Sequence, residues 1–397
     1  MTCFHCGRRV FGKFLRGKLP VRFATIIILL LTWLSVAAGP PVWKSNHPHP
    51  LLLTQGQMQE LREIAQGPPT QSRAGVLLDR ESNSQLWQWR GDESLPMASV
   101  TKLMTTLVAL ETLSPDDAVV IPPEAVDIAP GYARMGLRAG QKTSTLALLY
   151  GALLPSGNDA AMALAIAAGG SEQAFVAKMN ARAKEWGLSH THFANPHGID
   201  APEHYASARD LGQLALRALQ NPLIADIVAT PVKDIEGFHL VNTNQLLTTY
   251  PGAYGVKTGT TDNAGQVLIA AARRSGQGDA LTVVMNSPDR YVETAGLMDF
   301  YFDHWVWIDV GLKQDVLNRA TGPDGAAYLL STPPAPLFLQ RWQVHELRPL
   351  RVVSFDAAGR PSGLYQVWYG EEKLVELPLQ FQRQPTLSTP QPAPNGN

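Results

Sequence analysis

Cysteine is almost absent from this sequence. Only Cys3 and Cys6 occur among its 397 residues, and both precede the first long apolar run. A Cys-X-X-Cys pair can bind metal or act in redox chemistry, but two thiols and the neighbouring His5 make a weak metal site. Since no cysteine follows the apolar run, disulfides and a lipid-modified cysteine are excluded there, and the fold must rely on its hydrophobic core.

The sequence also lacks a large excess of charge of either sign. It contains 33 Lys and Arg residues against 34 Asp and Glu residues, a net charge of −1. Six of the basic residues and no acidic residue precede residue 23, and 33 minus these six leaves 27 basic against 34 acidic residues in the remainder. A mildly acidic protein of this kind is not expected to bind nucleic acid.

One long apolar run lies near the N-terminus, from Phe23 to Ala38. Its length of about sixteen residues is slightly below the roughly 17 to 25 that span a bilayer. It follows the basic segment and ends in the small residues Ser35, Ala37 and Ala38, as in a secretory signal peptide. Segment 1–38 is therefore predicted to be a signal peptide, with an uncleaved membrane anchor as the alternative. We expect an exported, periplasmic or extracytoplasmic protein, held at the cytoplasmic membrane if the apolar segment is retained.

Alternating and helical patterns divide the rest of the chain. A strand pair in "AGVLLDRESNSQLWQWR" precedes helical patterns, and strands return in "GAYGVKTGTT", "GQVLIAAARR" and "DALTVVMN". Strands at both ends of a helical region predict a mixed α/β (α+β) domain whose antiparallel sheet combines both termini. Shorter alternating segments follow. The predicted segments are a linker at 39–57, a main domain at 58–311, a small all-β domain at 312–383 and a disordered tail at 384–397.

The stretch "PMASVTKLMTTLVAL" places one charged residue, Lys102, in a helical pattern. One face carries an apolar stripe and the other only small or neutral residues besides the lysine, so the helix is predicted to be covered on both sides. Ser99 lies three residues earlier, close to one helical turn, so the two side chains can touch. Burial lowers the pKa of an amine toward that of a base for the serine. Taken alone, the pair also fits a helix N-cap and a solvated lysine.

Two further stretches offer groups that suit the same chemistry. The turn "PSGN" presents the hydroxyl of Ser156 and the amide of Asn158 between two apolar helices, where they can move a proton and hold a substrate amide. The strand "VKTGTT" offers Lys257 and Thr258 for a carboxylate, followed by Gly259, which lets a ligand backbone lie close to the strand. Helix caps, a surface lysine and a turn glycine would explain each residue separately.

The order of these motifs resembles that of penicillin-binding proteins and class A β-lactamases: Ser-X-X-Lys, then Ser-X-Asn 57 residues after Ser99, then Lys-Thr-Gly about 100 residues further on. Longer stretches, such as "LLYGALLPSGNDAAMALA" and "THFANPHGIDAPEHYASARDLGQLALRAL", resemble the D-alanyl-D-alanine carboxypeptidases, the low-molecular-mass penicillin-binding proteins. The resemblance covers roughly residues 60 to 310. It implies a penicillin-binding, β-lactamase-like transpeptidase fold, and the small β domain fits the layout of that family.

The resemblance implies a serine-type D-Ala-D-Ala carboxypeptidase with no cofactor and no metal. Ser99 would be the acylated nucleophile and Lys102 its base, while Lys257 would bind the terminal carboxylate. The backbone N–H groups of Ser99 and Thr260 would form the oxyanion hole. The substrate would be the D-Ala-D-Ala end of the peptidoglycan stem peptide, and β-lactams would acylate the same serine. The site residues implied are the catalytic Ser99, Lys102 and Ser156 and the substrate-binding Asn158, Lys257, Thr258, Gly259 and Thr260.

Other functions remain open on the sequence. A β-lactamase or a DD-endopeptidase would share the motifs, although no convincing match to the glutamate base of class A β-lactamases lies between the middle motif and Lys257. A non-catalytic wall-binding protein could keep the fold, but the three motifs are complete. A zinc peptidase is the alternative with different chemistry, because four histidines lie within fifteen residues: His190, His192, His197 and His204. The resemblance instead implies a structural loop there.

Overall fold

The computed structural model describes residues 54–384. The predicted signal peptide or anchor at 1–38, nearly all of the predicted linker and the predicted tail beyond residue 384 lie outside these residues. Helix α1, Gln55–Gln66, begins inside the segment assigned to the linker, because Thr54 caps it. The Thr54 hydroxyl accepts a hydrogen bond from the Gln57 backbone N–H, and the Gln57 side-chain oxygen accepts one from the Thr54 N–H.

A five-stranded antiparallel sheet forms the centre of the main domain. Its strands are β1 Ala74–Asp79, β2 Gln85–Trp89, β7 Ala253–Thr261, β8 Gly265–Arg274 and β9 Gly278–Ser287. They lie in the order β2–β1–β9–β8–β7. Its register aligns Val76 with Val283, Val283 with Ile269, and Ile269 with Lys257, so Lys257 lies level with the middle of the sheet. Both ends of the domain contribute strands, as predicted.

Eight helices lie between β2 and β7. They are α2 Lys102–Ala109, α3 Pro123–Val126, α4 Thr145–Leu153, α5 Asn158–Gly169, α6 Glu172–Glu185, α7 Ala208–Gln220, α8 Pro222–Val228 and α9 Leu246–Thr249. Two small strand pairs lie among them, β3 Ala118–Val120 with β4 Lys142–Ser144 and β5 Val232–Ile235 with β6 Phe238–Val241. Helix α2 lies at the centre of this layer, in contact with α4, α5, α6 and α7.

The two faces of the sheet are covered by different layers. Val76 and Leu78 of β1 join the core formed with the helical layer, whereas Leu77 between them faces helix α10, Arg290–His304. All three side chains are buried, which explains why the strand has a continuous apolar sequence. Among residues 54–384 no single helix is long and apolar enough to cross a membrane, and α5 and α6 pass that test only as a pair bent by 86°.

The region after α10 is rich in strands. They are β10 Trp305–Asp309, β11 Arg319–Thr321, β12 Ala327–Ser331, β13 Pro336–Gln340, β14 Leu347–Phe355, β15 Pro361–Tyr369, β16 Glu372–Pro378 and β17 Gln380–Arg383, with one short helix, α11 Arg341–Val344. They pair as β10–β13, β11–β12–β17 and β14–β15–β16, and a small core contains Leu330, Tyr365, Val367 and Leu379. This β-rich region after a mixed α/β domain confirms the predicted fold class.

Candidate active site

Ser99 lies in a 3₁₀ turn, Ala98–Thr101, which leads directly into α2 and is here termed the serine turn. Ala98 adopts a left-handed backbone, with φ 51°, which is unfavourable for a residue with a side chain. The Thr101 hydroxyl donates a hydrogen bond of 2.7 Å to the Ala98 carbonyl and so supports this conformation. The backbone around the predicted nucleophile is therefore strained and held by a buried neighbour.

Both faces of α2 are buried, as the sequence predicts. Lys102, Thr105 and Thr106 on the polar side are 0% exposed, and on the opposite face Leu103 and Met104 are also 0% exposed, while Leu107 is partly buried. Ser99 is only partly buried. The amine is therefore shielded from water, while the hydroxyl beside it stays accessible to a substrate.

Three oxygen atoms surround the Lys102 amine. Its Nζ lies 2.9 Å from Ser99 Oγ, 2.7 Å from Asn158 Oδ1 and 2.6 Å from the His197 carbonyl oxygen. The amide and carbonyl oxygens can only accept, so they take the two hydrogens of a neutral amine. The lone pair of that amine then faces Ser99 Oγ. This arrangement can take the proton of the serine hydroxyl.

Two buried lysines share this region. Burial first, and then the charge of Lys257, lower the pKa of Lys102 well below its ordinary value, while Asp159 acts in the opposite direction. Lys257 is 1% exposed, and its Nζ donates a hydrogen bond of 3.0 Å to the Thr258 carbonyl. Burial and then the charge of Arg290 lower the pKa of Lys257 to about 7. Lys257 can therefore change protonation near neutral pH, and Lys102 loses its proton more easily than an exposed lysine.

The Ser-X-Asn motif forms the tight connection between α4 and α5. Ser156 has a left-handed backbone, φ 64°, and its buried Oγ has no hydrogen-bond partner within residues 54–384. Asn158 is buried as the first residue of α5 and points its amide oxygen at Lys102. A buried hydroxyl without a partner is unusual and is available to a substrate or a proton.

Two glycines pack against the serine turn. A side chain on Gly259 would start 3.1 Å from the Ser99 backbone nitrogen, and one on Gly198 would start 2.1 Å from the Ala98 carbonyl oxygen. Gly198 also has φ +92°, a conformation that favours glycine. Glycine is therefore needed at position 259 because the serine turn packs closely against it. This role differs from the predicted one, which was to admit a ligand backbone.

Arg290, the first residue of α10, was not identified from the sequence. Its Nη1 donates hydrogen bonds of 2.8 Å to the Gly259 carbonyl and to the Thr260 hydroxyl. The guanidinium thus holds the strand next to Lys257 and adds a positive charge there. No local pattern marks this arginine, because its partners lie about thirty residues earlier in the chain.

The structure brings the predicted residues to one place. Ser99, Lys102 and Asn158 meet at the lysine amine, and Ser156 lies two residues before Asn158. At Gly259 the edge strand β7 packs against the serine turn. The other members of that strand are buried Lys257, buried Thr258, whose hydroxyl lies 2.6 Å from the Thr243 hydroxyl, and exposed Thr260.

The four histidines do not form a common group. Within residues 54–384 no cluster of three or more His, Cys, Asp or Glu side chains is placed to hold a metal ion. His204 Nε2 lies 2.8 Å from the Thr101 hydroxyl, and because that hydroxyl donates to Ala98, the imidazole N–H must donate here. His204 Nδ1 accepts the Ala194 N–H, and His197 Nδ1 accepts the Ile199 N–H. These rings support the loop around the site.

Residues 62–289 match the D-alanyl-D-alanine carboxypeptidase family. The chain is 35% identical over 248 residues to the D-alanyl-D-alanine carboxypeptidase DacF of Bacillus subtilis, covering 59% of this chain and 63% of that protein. It is 33% identical over 258 residues to DacC of Escherichia coli, covering 60% and 63%. The chain therefore spans less than two thirds of the length of these two relatives.

Solved structures give the same result for the fold. The Streptomyces K15 DD-transpeptidase superposes with a TM-score of 0.57 at 31% identity, covering 59% of this chain and 98% of that one. Penicillin-binding protein 5 of Haemophilus influenzae superposes with a TM-score of 0.62 at 25% identity, covering 79% of this chain and 97% of that one. The longer match extends into the β-rich C-terminal region, as the coverage requires.

Proposed function

The chain belongs to the D-alanyl-D-alanine carboxypeptidase family, and from this premise we propose that it is a serine-type carboxypeptidase that removes the terminal D-alanine from peptidoglycan stem peptides. The observation that carries the proposal is the shielded Lys102 amine, 2.9 Å from Ser99 Oγ and with both its amine hydrogens directed to other acceptors. An amine in this state is the base that a serine nucleophile requires.

Acylation begins when Ser99 Oγ attacks the carbonyl carbon of the D-Ala-D-Ala peptide bond and Lys102 accepts the hydroxyl proton. The carbonyl oxygen becomes negative and is stabilised by the backbone N–H groups of Ser99 and Thr260, which the family resemblance assigns as the oxyanion hole. The peptide bond then breaks, and the leaving amine takes a proton from Lys102 or through Ser156. The products are free D-alanine and an ester between the shortened peptide and Ser99.

The terminal carboxylate of the substrate defines a carboxypeptidase. Lys257 on the edge strand supplies a positive charge for it, and Thr258 supplies a hydroxyl. Arg290 holds the same strand in place through Gly259 and Thr260. Water then hydrolyses the acyl-enzyme, with Lys102 again accepting the proton, and β-lactams stop the cycle by acylating Ser99.

A fluorescent penicillin tests the proposal directly. We expect covalent label on the parent protein and release of D-alanine from a peptide ending in D-Ala-D-Ala. Ser99→Ala should abolish both, and Lys102→Ala should slow acylation by about 10²- to 10⁴-fold. Ser94→Ala, an exposed serine in the same region, is the matched control and should label like the parent.

The same experiment separates the alternatives. Label without release of D-alanine, but with cleavage of cross-linked peptidoglycan, would indicate a DD-endopeptidase. Rapid turnover of penicillin would indicate a β-lactamase. A parent protein without label and without peptide cleavage would contradict catalysis and leave a wall-binding protein.

We also propose that the enzyme acts outside the cytoplasm, because its substrate is part of the cell wall and the N-terminal sequence is typical of an export signal. Protease added to spheroplasts should then degrade the protein while a cytoplasmic marker survives. N-terminal sequencing of the mature protein distinguishes a cleaved signal peptide from a retained membrane anchor. An intact protein in protease-treated spheroplasts would contradict export.

A further inference from the structure

Asp159 is a buried carboxylate directly after the Ser-X-Asn motif. It is 1% exposed and lies in the first turn of α5. Its Oδ1 accepts hydrogen bonds from the backbone N–H groups of Met135 at 2.7 Å and Ala160 at 2.9 Å, and its Oδ2 accepts those of Gly136 at 2.9 Å and Leu137 at 3.1 Å. A carboxylate has about four acceptor positions, so these four donors satisfy it.

The segment 133–137 is thereby fastened to the start of α5. A second link comes from the Asn158 backbone N–H, which donates a hydrogen bond of 2.9 Å to the Ala133 carbonyl. Gly157 allows this close approach, because a side chain there would start 2.8 Å from the Met135 nitrogen. The segment 133–137 and the Ser-X-Asn motif are therefore held together as one unit.

This unit contacts the Lys102 amine through the Asn158 side chain. The Asn158 amide oxygen is one of the two acceptors that orient the Lys102 hydrogens, at 2.7 Å. We propose that Asp159 is a positioning residue for acyl transfer by Ser99: its carboxylate locks the segment 133–137 to the turn that carries Asn158, and it places one negative charge near the buried Lys102 amine. This proposal rests on the proposed function of Ser99 and Lys102.

The charge of Asp159 matters because few compensating charges surround the amine. The groups that face Lys102 are Lys257 from β7, Asp159 from α5, and His197 and His204 from the loop between α6 and α7. Burial lowers the pKa of His197 to about 3 and that of His204 to about 4, so both are neutral above pH 5 or so. Asp159 is then the negative charge that opposes burial and Lys257 in setting the pKa of Lys102.

Two variants of Asp159 separate charge from geometry. Asp159→Asn removes the charge and replaces an acceptor oxygen with an NH₂ group, which cannot accept the amide hydrogens. Asp159→Glu keeps the charge but lengthens the side chain, so its oxygens miss the same amides. We expect both to slow acylation by a fluorescent penicillin by up to about 100-fold, the scale of a displacement of about 1 Å in a catalytic group.

The pH dependence gives the second readout. Acylation needs the neutral amine, so its rate rises with pH through the pKa of Lys102. Loss of the Asp159 charge lowers that pKa further, and the acid limb of Asp159→Asn should move to lower pH. Asp159→Glu should keep the limb of the parent. Hydrogen exchange at Met135, Gly136 and Leu137 should become faster in both variants.

Asp210→Asn is the matched control, because Asp210 is also a buried carboxylate in the first turn of a helix and accepts the His190 backbone N–H at 2.7 Å. It should leave the acid limb unchanged. Parent-like acylation in Asp159→Asn, or a slower rate with an unmoved limb, would overturn the proposal. If the Asn variant does not fold, parent-like acylation of Asp159→Glu with lost amide protection would overturn it. Failure of the parent to acylate would instead refute the proposed function.

Discussion

Two buried polar clusters lie along the same sheet, and they differ in how their charges are balanced. The active-site cluster consists of Ser99, Lys102, Ser156, Asn158 and Lys257, two of which are buried lysines. Its strand residue, Lys257, lies between the middle of the sheet and the end at Thr260. The other, termed the sheet-end cluster, lies where β1 ends and β9 begins. Its members are Asp79, Arg80, Tyr254, Arg273, Asp279 and Tyr301.

The sheet-end cluster is balanced by charge and by hydrogen bonds. Asp279 is fully buried, and its Oδ2 accepts from Arg80 at 2.9 Å and Arg273 at 2.6 Å, while its Oδ1 accepts the Tyr254 hydroxyl at 2.5 Å. Asp79 is also fully buried and accepts the Tyr301 hydroxyl. Burial and the neighbouring aspartate raise the pKa of Tyr301, so the phenol remains a donor.

The active-site cluster lacks this balance. Its two lysines both have lowered pKa values, Asp159 opposes this shift only at Lys102, and the Ser156 hydroxyl has no hydrogen-bond partner within residues 54–384. Along the same sheet, charges are therefore paired in the sheet-end cluster, where the pairs contribute to stability. The amines of the active-site cluster are left without such partners and are available to react. Buried polar groups that lack a charge partner or a hydrogen-bond partner are those expected to be reactive.

The largest effect on stability should come from breaking the balanced cluster. Asp279→Ala removes the carboxylate that Arg80, Arg273 and the Tyr254 hydroxyl share, and Arg80 keeps only its hydrogen bond to the Leu219 carbonyl. We expect the free energy of unfolding to fall by about 3 kcal/mol, as for other broken buried ion pairs. Urea unfolding measures this. Penicillin labelling per folded molecule should stay at the parent level. Asp234→Ala, whose carboxylate is 80% exposed, is the control and should change stability by less than about 0.5 kcal/mol.

The second prediction concerns activity and the positive charges around Lys257. Arg290→Gln removes two charge-assisted hydrogen bonds to β7, and we expect kcat/KM for the D-Ala-D-Ala peptide to fall by about 10- to 100-fold. It also removes the positive neighbour of Lys257. Since Lys257 must be charged to bind a carboxylate, activity should be lost as pH rises through its pKa of about 7. The variant should keep activity to higher pH, whereas Arg274→Gln should not shift this limb.

The smallest effect should be a gain in stability. Lys257→Met removes a buried amine whose pKa is about 7 when folded and 10.5 when exposed. Below pH 7 the folded protein must bury the charge, so the variant should be more stable there by about 1 kcal/mol. Between pH 7 and pH 10.5 the parent gains stability, because only its unfolded lysine keeps the proton, so the advantage of the variant should shrink and then become a loss. Equal gains at pH 6 and pH 10 in urea unfolding would contradict the expected linkage.

The sequence predicts the parts of the site that have local patterns. Helical spacing predicts that α2 is covered on both faces and that Lys102 can touch Ser99, although the pair alone also fits a helix N-cap and a solvated lysine. Strand-type segments indicate β7, β8 and β9, the last two joined by a glycine-containing turn. The contacts of Asp159 with Gly136 and of Arg290 with Gly259 connect positions more than twenty residues apart without any repeat. Such contacts depend on how the elements pack.

The backbone that packs against Gly259 also cannot be predicted from the sequence. A glycine after a strand lysine indicates close approach of some backbone, but it does not identify which one. The structure shows that this backbone belongs to the serine turn, which comes from a segment about 160 residues earlier. The same holds for Ala98, whose left-handed backbone has no signal because alanine is common in ordinary helices.

The strand order of the sheet also has a consequence for biosynthesis. β1 pairs with β9, so the first strand to leave the ribosome waits for about two hundred further residues before its central neighbour exists. A nascent chain that ends before Lys257 carries the serine and its base but not the strand assigned to the terminal carboxylate of the substrate. Under the proposed function, the strand that carries Lys257 and the completed sheet are both absent until about residue 287, so a chain that ends before β9 should not be catalytically active.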